Sequence, residues 1–371
     1  MHNDSHHDAV ALLSGGLDSI LAARLVQDMG LRVLCLHFHT PFFDKARDCD
    51  RWKELYGLTV RAVDVGEDFA RMLVERPEHG FGKVLNPCVD CKILMLRRAK
   101  EIMREVGATF IITGEVLGQR PMSQRRDTLH VIQREAGVKG LLLRPLSALH
   151  LESTEAEESG LVDRSRLLAI HGRGRKDQLA LAAEMGLAEI PTPAGGCLLA
   201  ERENARSYWP VLLYGGTMGA AGAEDFHLAN TGRQYWNRTA SPLWLCVGRN
   251  QADNDALMAL ARPTDILFKV RDFPGPIALG RPFPGSPWGG DALLSAASFM
   301  VSFSPKACRA VKDGLESLYV RVHQGEEGLD SPGQLVRCVP ERTLSWREFS
   351  WEEAKEGIRA ERRAGSGAER K

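Results

Sequence analysis

Short apolar runs alternate with amphipathic stretches through the first half of the chain. Residues 9–14, "AVALLS", form a continuous apolar run of the kind carried by a strand buried on both faces. Residues 19–30, "SILAARLVQDMG", place apolar side chains at 20, 21, 25 and 29 and stop at a glycine, which predicts a helix. The alternation continues with a strand over 32–38, a helix over 44–57 and a strand over 59–65. A helix over 91–107 follows, with apolar residues near 93, 96, 99, 103 and 106, and then a strand over 109–115. Another helix, 176–187, closes at Gly186. Repeated β-α-β units argue for an α/β fold with a parallel sheet covered on both faces.

The pattern changes after about residue 203. Short apolar runs set among Gly, Pro and Trp ("PLWLCVG", "DILFKV", "PIALG", "SLYVRV", "QLVRCV") read as strands. One helix is predicted over 291–303, so this part reads as a second, smaller α+β domain. The last segment is charged and Gly/Ser-rich and reads as a frayed helix and tail. The domains expected are therefore 1–203, 204–350 and a tail over 351–371.

The formal net charge is zero, which excludes a global basic field, so any nucleic acid must be held by local patches. No apolar run is long enough to span a membrane, and the first residues lack a signal-peptide pattern. Eight thinly spread cysteines do not form a secreted disulfide framework. A reducing cytoplasm is the expected compartment, where a CxxC pair points to metal or redox chemistry.

Between the first strand and the first helix lies "SGGLDS", Ser14 to Ser19. Gly15 and Gly16 permit a tight turn and close approach of backbone to an anion, and the helix start offers free N–H groups and a positive dipole end. Ser14 and Ser19 add hydroxyl donors. Asp18 is odd beside a phosphate unless it orients the loop or binds Mg²⁺. The GK[ST] of a Walker loop is absent.

"LLSGGLDS" resembles the loop of ATP-pyrophosphatases, which adenylate a carbonyl oxygen and release pyrophosphate. Further stretches narrow the resemblance to 4-thiouridine synthetases. "LHFHTPFF" (36–43) is similar to the segment bordering the nucleotide, which implies His37 and Phe38. "TGEVLGQRPMSQ" (113–124) is similar to a family signature and implies nucleotide contacts at Gly114 and Gln124, with one extra residue around Arg120–Met122. "CKILMLRRA" puts Lys92 where the family carries a basic nucleotide-contacting residue. The resemblance covers roughly residues 9–200. It implies an adenine nucleotide α-hydrolase-like sheet, ATP and Mg²⁺ as cofactors and tRNA as substrate.

"NPCVDCK" (86–92) supplies Cys88 and Cys91, and "IPTPAGGCLLA" supplies Cys197, where the resembling family carries a catalytic cysteine. Isolated buried thiols, a thioredoxin-like pair and a structural zinc compete with a three-cysteine 4Fe–4S cluster. Zinc wants four closed N/S ligands and only three cysteines are evident, whereas three thiolates suit a cluster with one open iron. A similar branch of tRNA-thiolation enzymes uses such a cluster. Persulfide chemistry is the alternative, with one cysteine carrying sulfur and a second resolving it. The sulfur donor is expected to be a cysteine desulfurase or inorganic sulfide, and a homodimer is compatible with either reading. Cys35, Cys49, Cys246, Cys308 and Cys338 show no such spacing and read as packing residues.

Residues 243–283 and 332–346 resemble the RNA-binding domain of NFACT proteins. Arg249, Asn250, Asn254, Lys269, Arg271 and Arg281, set beside Phe268, Phe273 and Trp288, are the candidate RNA contacts. The expected function is ATP-dependent tRNA uridine thiolation. An adenylating sulfurtransferase or ligase acting on a small molecule is the competing enzyme reading.

Overall fold

The computed structural model describes residues 6–43, 49–191, 196–216, 221–238, 241–325, 329, 331–342 and 345–368. Two compact units are present, Met1–Met72 with Arg76–Ala200, and Glu201–Lys371 with Leu73–Glu75.

The first unit is built on β1 (Ala9–Leu12), β2 (Val33–His39), β3 (Thr59–Asp64), β4 (Phe110–Thr113) and β5 (Leu142–Leu143). All pairings are parallel, in the order β3-β2-β1-β4-β5. The central β1 is buried at every residue, which is why it reads as an unbroken apolar run. Ala9 and Ala11 join the core on the side of α1 (Leu17–Gln27), while Val10 and Leu12 join the opposite core.

The helices are α1, α2 (Cys49–Tyr56), α3 (Gly66–Glu75), α4 (Cys88–Glu105), α5 (Arg126–Glu135), α6 (Glu155–Glu158) and α7 (Lys176–Glu184). The expected helix over 44–57 is observed from Cys49, with 44–48 outside the described residues. α4 begins at Cys88, so the two cysteines lie inside its first turns rather than ahead of it. Among the described residues of the first unit, α3, α5 and the four-residue α6 escape the periodicity reading. Leu129 and Ile132 are the buried residues of α5, too short an apolar stripe to stand out, and α3 opens on charge.

The second unit is α+β, as expected. It holds α8 (Arg202–Pro210), α9 (Ala223–Ala229), β6 (Arg233–Asn237), β7 (Leu243–Val247), α10 (Gln251–Ala259), β8 (Ile266–Val270) and β9 (Ile277–Arg281). It continues with α11 (Gly290–Val301), α12 (Pro305–Lys312), β10 (Leu318–Gln324), β11 (Gln334–Cys338), β12 (Trp346–Arg347) and α13 (Trp351–Ala368). The seven strands form an antiparallel sheet in the order β11-β10-β8-β9-β7-β6-β12. α11 lies over one face, packing Ala296, Ala297 and Met300 against Phe268, Val270, Val320 and Val322.

The last segment forms the expected helix over Trp351–Ala368, and the helix is packed rather than loose. α13 buries Ala354 and Ile358, and Gly357 lets it close on α8. A Cβ at Gly357 would stand 2.3 Å from the Trp209 ring. No described helix is long and apolar enough to cross a membrane.

Candidate active site

The sheet order reverses at β1, whose neighbours β2 and β4 lead away in opposite directions. The loops that leave β1 and β4 therefore meet at the carboxyl end of the sheet, where open α/β sheets bind ligands. After β1 the chain turns through Gly15 at φ 72°, in the left-handed region that favours glycine. Gly16 caps α1 without a side-chain acceptor, so the positive end of the helix is open to an anion. The two serines shape the loop. Ser19 Oγ donates to Gly16 O at 2.8 Å and accepts from Ser14 N at 3.3 Å.

Gly114 follows β4 and touches this loop directly. A Cβ there would lie 2.5 Å from the carbonyl carbon and oxygen of Asp18 and from the amide nitrogen of Ser19. Asp18 Oδ2 accepts from Gln119 Nε2 at 3.0 Å, while Asp18 Oδ1 is buried with no hydrogen-bond partner among the described residues. An orphaned carboxylate oxygen beside a phosphate-type loop is the donor chemistry that Mg²⁺ takes.

His37 and Phe38 part company. His37 is buried with Nδ1 3.1 Å from Leu13 O, which requires the proton on Nδ1, and its ring lies 4.7 Å from that of Trp52. Trp52 in turn lies beside the loop, 3.1 Å from where a Gly15 Cβ would stand. Phe38 points to the other side of β2 and packs in the core with Leu34, Leu36 and Ile93. Gln124 closes its own loop, with Oε1 accepting from Arg120 N at 3.0 Å and its carbonyl accepting from Gly118 N at 2.7 Å. Gln119 is the glutamine that reaches the phosphate-type loop.

Lys92 stands on α4 with Nζ 3.8 Å from Glu115 Oε1. Glu115 is buried and bonded through Oε2 to Arg144 Nε at 3.0 Å and to Thr113 Oγ1 at 3.2 Å. Burial alone would raise the Glu115 carboxyl. Lys92, Arg144 and Thr113 together hold it below its usual 4.5. The ion pair is thus present above the unfolded carboxyl's range and is lost as pH falls through the lowered folded value. Glu115→Gln is expected to cost about 3–5 kcal/mol in urea unfolding, because Arg144 keeps its buried charge without a countercharge. The gap from wild type should narrow as pH falls below 4.5. A gap that stays constant between neutral and acid pH would contradict the assignment.

The three cysteines come from two segments held side by side. Leu198 N donates to Phe42 O at 2.8 Å, and Leu85 N donates to Leu199 O at 3.0 Å, which carries Cys197 to the start of α4. Burial raises the Cys91 thiol, Lys92 opposes the rise, and the neighbouring Cys197 and Cys88 reinforce it. Cys88 Sγ accepts from Asn86 Nδ2 at 3.2 Å. A Cβ on Gly82 would collide with that amide, so the loop needs glycine there. Asp90, between the cysteines, accepts from the backbone N–H groups of Glu78 and His79 and pins the preceding loop. Among the described residues no three His, Cys, Asp or Glu side chains stand together as a metal-holding group. The thiols are neighbours that a bound ion would have to draw in. The others behave as packing residues: burial pushes Cys35 up to about 12 and Cys338 up to about 11.

Residues 4–156 match the family model described as Thiamine biosynthesis protein (ThiI). This stretch is a ThiI-type domain. The relatives of the domain include three proteins named probable tRNA sulfurtransferase. The Thermococcus kodakarensis protein is 31% identical over 149 residues, 38% of this chain and 38% of the relative. That of Methanosarcina mazei is 34% identical over 120 residues, 30% of this chain and 28% of the relative. That of Thermus thermophilus is 33% identical over 156 residues, 40% of this chain and 36% of the relative. The chain thus spans well under half the length of the curated relatives it matches. Among solved structures, a U34-tRNA thiolase, NcsA from Methanococcus maripaludis with its 4Fe–4S cluster, aligns over 58% of this chain and 72% of its own. Its identity is 17% and its TM-score 0.28, too distant a likeness to carry weight.

Within the ThiI-type domain, Trp52, Asn86, Glu115, Gln119 and Arg144 are site residues that sequence reasoning passes over. Glu115 and Gln119 fall inside the "TGEVLGQ" stretch, and Arg144 is a lone charge following the apolar run of β5. A charge at the end of a buried strand is the available signal.

In the second unit the structure reassigns most of the candidate RNA contacts. Arg281 is buried, bonded to Asp265 and Asp225 and to Leu260 O. Phe268 is core. Asn250 caps α10 by accepting from Asp253 N, and Asn254 accepts from Ile277 N at 3.0 Å. Arg249 is forked onto Asp253. Phe273 and Trp288 pack against the α11 core. The Gly-Arg-Asn run is therefore a helix-capping turn. Lys269 and Arg271 stay exposed.

Proposed function

We propose that the chain thiolates uridine in tRNA, producing a 4-thiouridine- or 2-thiouridine-type base at the expense of ATP. What supports this reading is a phosphate-type loop braced by Gly114, with Lys92, the residue after Cys91, paired to Glu115 beside it. The α1 amide end receives the ATP phosphates, and Asp18 Oδ1 would hold the accompanying Mg²⁺. The uridine carbonyl oxygen attacks the α-phosphorus and pyrophosphate leaves. Negative charge grows on the phosphate as it does so, and Lys92, aimed by Glu115, offsets it. Sulfur then attacks the activated ring carbon, and AMP leaves with the oxygen.

Cys88, Cys91 and Cys197 would hold a 4Fe–4S cluster, a set of three thiols suiting an ion with one open position. When bound, that cluster supplies the sulfur nucleophile. Without it the same thiols serve persulfide transfer: a cysteine desulfurase's persulfide passes its outer sulfur to one thiol, and a second thiol closes a disulfide with it as the sulfur leaves for the ring carbon, whereas inorganic sulfide feeds only the cluster route. Iron and sulfide analysis of anaerobically purified protein, followed by mass spectrometry of tRNA nucleosides after reaction with ATP, tests the reading. Stoichiometric iron and a thiouridine are the expected results. A colourless protein giving no thionucleoside would overturn it.

A further inference from the structure

One face of the second unit's sheet is covered by α11, and Leu279 and Arg281 on the other face are buried near α10. The remainder of that other face, over β8, β10 and β11, carries outward side chains in register. Lys269 pairs with Arg321, and Arg321 with Leu335. One step along, Arg271 N bonds Tyr319 O, and Tyr319 pairs with Arg337. Tyr319 is 39% exposed and Leu335 46% exposed, unusual for an aromatic and a leucine in mid-sheet. The Arg271 guanidinium lies 5.8 Å from the Tyr319 ring centroid. Asp272 engages Arg271 at 3.3 Å and Glu316 engages Arg337 at 3.6 Å. Lys269 and Arg321 have no carboxylate within pairing distance among the described residues.

An exposed aromatic ring flanked by cations on adjacent strands matches the needs of one polymer. Each base of a single-stranded nucleic acid offers a flat face for stacking, and each linkage offers a charge for a neighbouring cation. Strand spacing of about 4.8 Å puts cations on either side of the ring within reach of successive phosphates. We propose that this face holds a single-stranded stretch of RNA, stacking one base on Tyr319 between Arg271 and Arg337, with Lys269 and Arg321 on the backbone. The inference rests on the reading of RNA as substrate and names the surface that grips it.

Fluorescence anisotropy of the full chain with a labelled single-stranded oligouridine, at several salt concentrations, tests it. Tyr319→Ala should weaken binding about 10-fold, while Tyr319→Phe should retain it, because stacking needs the ring and not the hydroxyl. Lys269→Glu combined with Arg321→Glu should lower the slope of log affinity against log salt by about 1.4. These side chains are outside the core, and unchanged melting of each variant checks that the fold is intact. Oligouridine binding that is absent in wild type, or equal in Tyr319→Ala, overturns the proposal. So does polyphosphate binding as tight as that of the oligonucleotide, which marks a plain anionic-ligand surface. Tyr319-dependent binding in a protein that yields no thiouridine would leave this face standing and remove the thiolation reading instead.

Discussion

Gly114→Ala should reduce ATP-dependent pyrophosphate release at least 100-fold while leaving most of the fold in place. The substitution adds a single carbon, but that carbon would sit 2.5 Å from three backbone atoms of Asp18 and Ser19. Backbone cannot swing aside as a side chain can, so either β4 or the first turn of α1 must shift. The cost in stability is the usual one for overpacking, about 1–3 kcal/mol. The cost in activity is larger, because on the proposed reading the shifted turn is the one that presents amides to the phosphates. A displacement of about 1 Å in a positioning element is enough for a 100-fold loss. Gly174→Ala is the matched control, since a Cβ there meets nothing within 4 Å. Pyrophosphate release and urea unfolding of both variants should separate cleanly. Wild-type release by Gly114→Ala would mean that the nucleotide lies elsewhere.

Cys197→Ala should abolish thiouridine formation and keep ATP binding within about 3-fold of wild type, the fold-change being small because the lost group touches no phosphate. Cys197 is carried on a segment tied by backbone hydrogen bonds from Leu198 to Phe42 and from Leu85 to Leu199, so trimming the thiol leaves its neighbours anchored. Cys308→Ala, with a cysteine on α12 of the second unit, should thiolate normally. Mass spectrometry of tRNA nucleosides alongside an ATP-binding titration gives both readouts. Loss of ATP binding in Cys197→Ala would place the thiol in the nucleotide pocket rather than in sulfur transfer. Persistent thiouridine would remove it from the reaction.

The parallel sheet is legible in the sequence because buried strands are continuous apolar runs and their helices carry the 3.6-residue period. The phosphate-type loop is legible because its glycines and serines occupy a fixed spot between the two periods. The readings fail where a residue's role depends on a partner distant in sequence. Nothing local marks Asp18 as the partner of Gln119, 101 positions away. Gln124 falls inside the signature, yet its side chain is spent on Arg120. Gly114 is named by resemblance as a nucleotide contact, and the structure gives it a steric role that no spacing argument reveals. In the second unit, charged and amide residues beside aromatics suggested contacts with a polymer. Most turn out to be caps and buried pairs, because local pattern cannot tell whether Arg281 faces solvent or Asp265. Lys269 and Arg271 survive since alternation along β8 puts them on the side away from α11.

The sheet order also dictates when the site can exist during synthesis. β1 pairs with β4 from Ala9–Phe110 to Leu12–Thr113, so the loop that follows β1 cannot be braced until more than a hundred residues have left the ribosome. The hydrogen bond from Leu198 to Phe42 comes later still. At a synthesis rate of about 5–20 residues per second, the pyrophosphate loop is complete several seconds before the third thiol arrives. On the proposed reading, a nascent chain holds a nucleotide before it holds three-thiol chemistry. The Cys88 and Cys91 pair emerges before β4 does, so two of the three thiols wait through the closing of the sheet for Cys197.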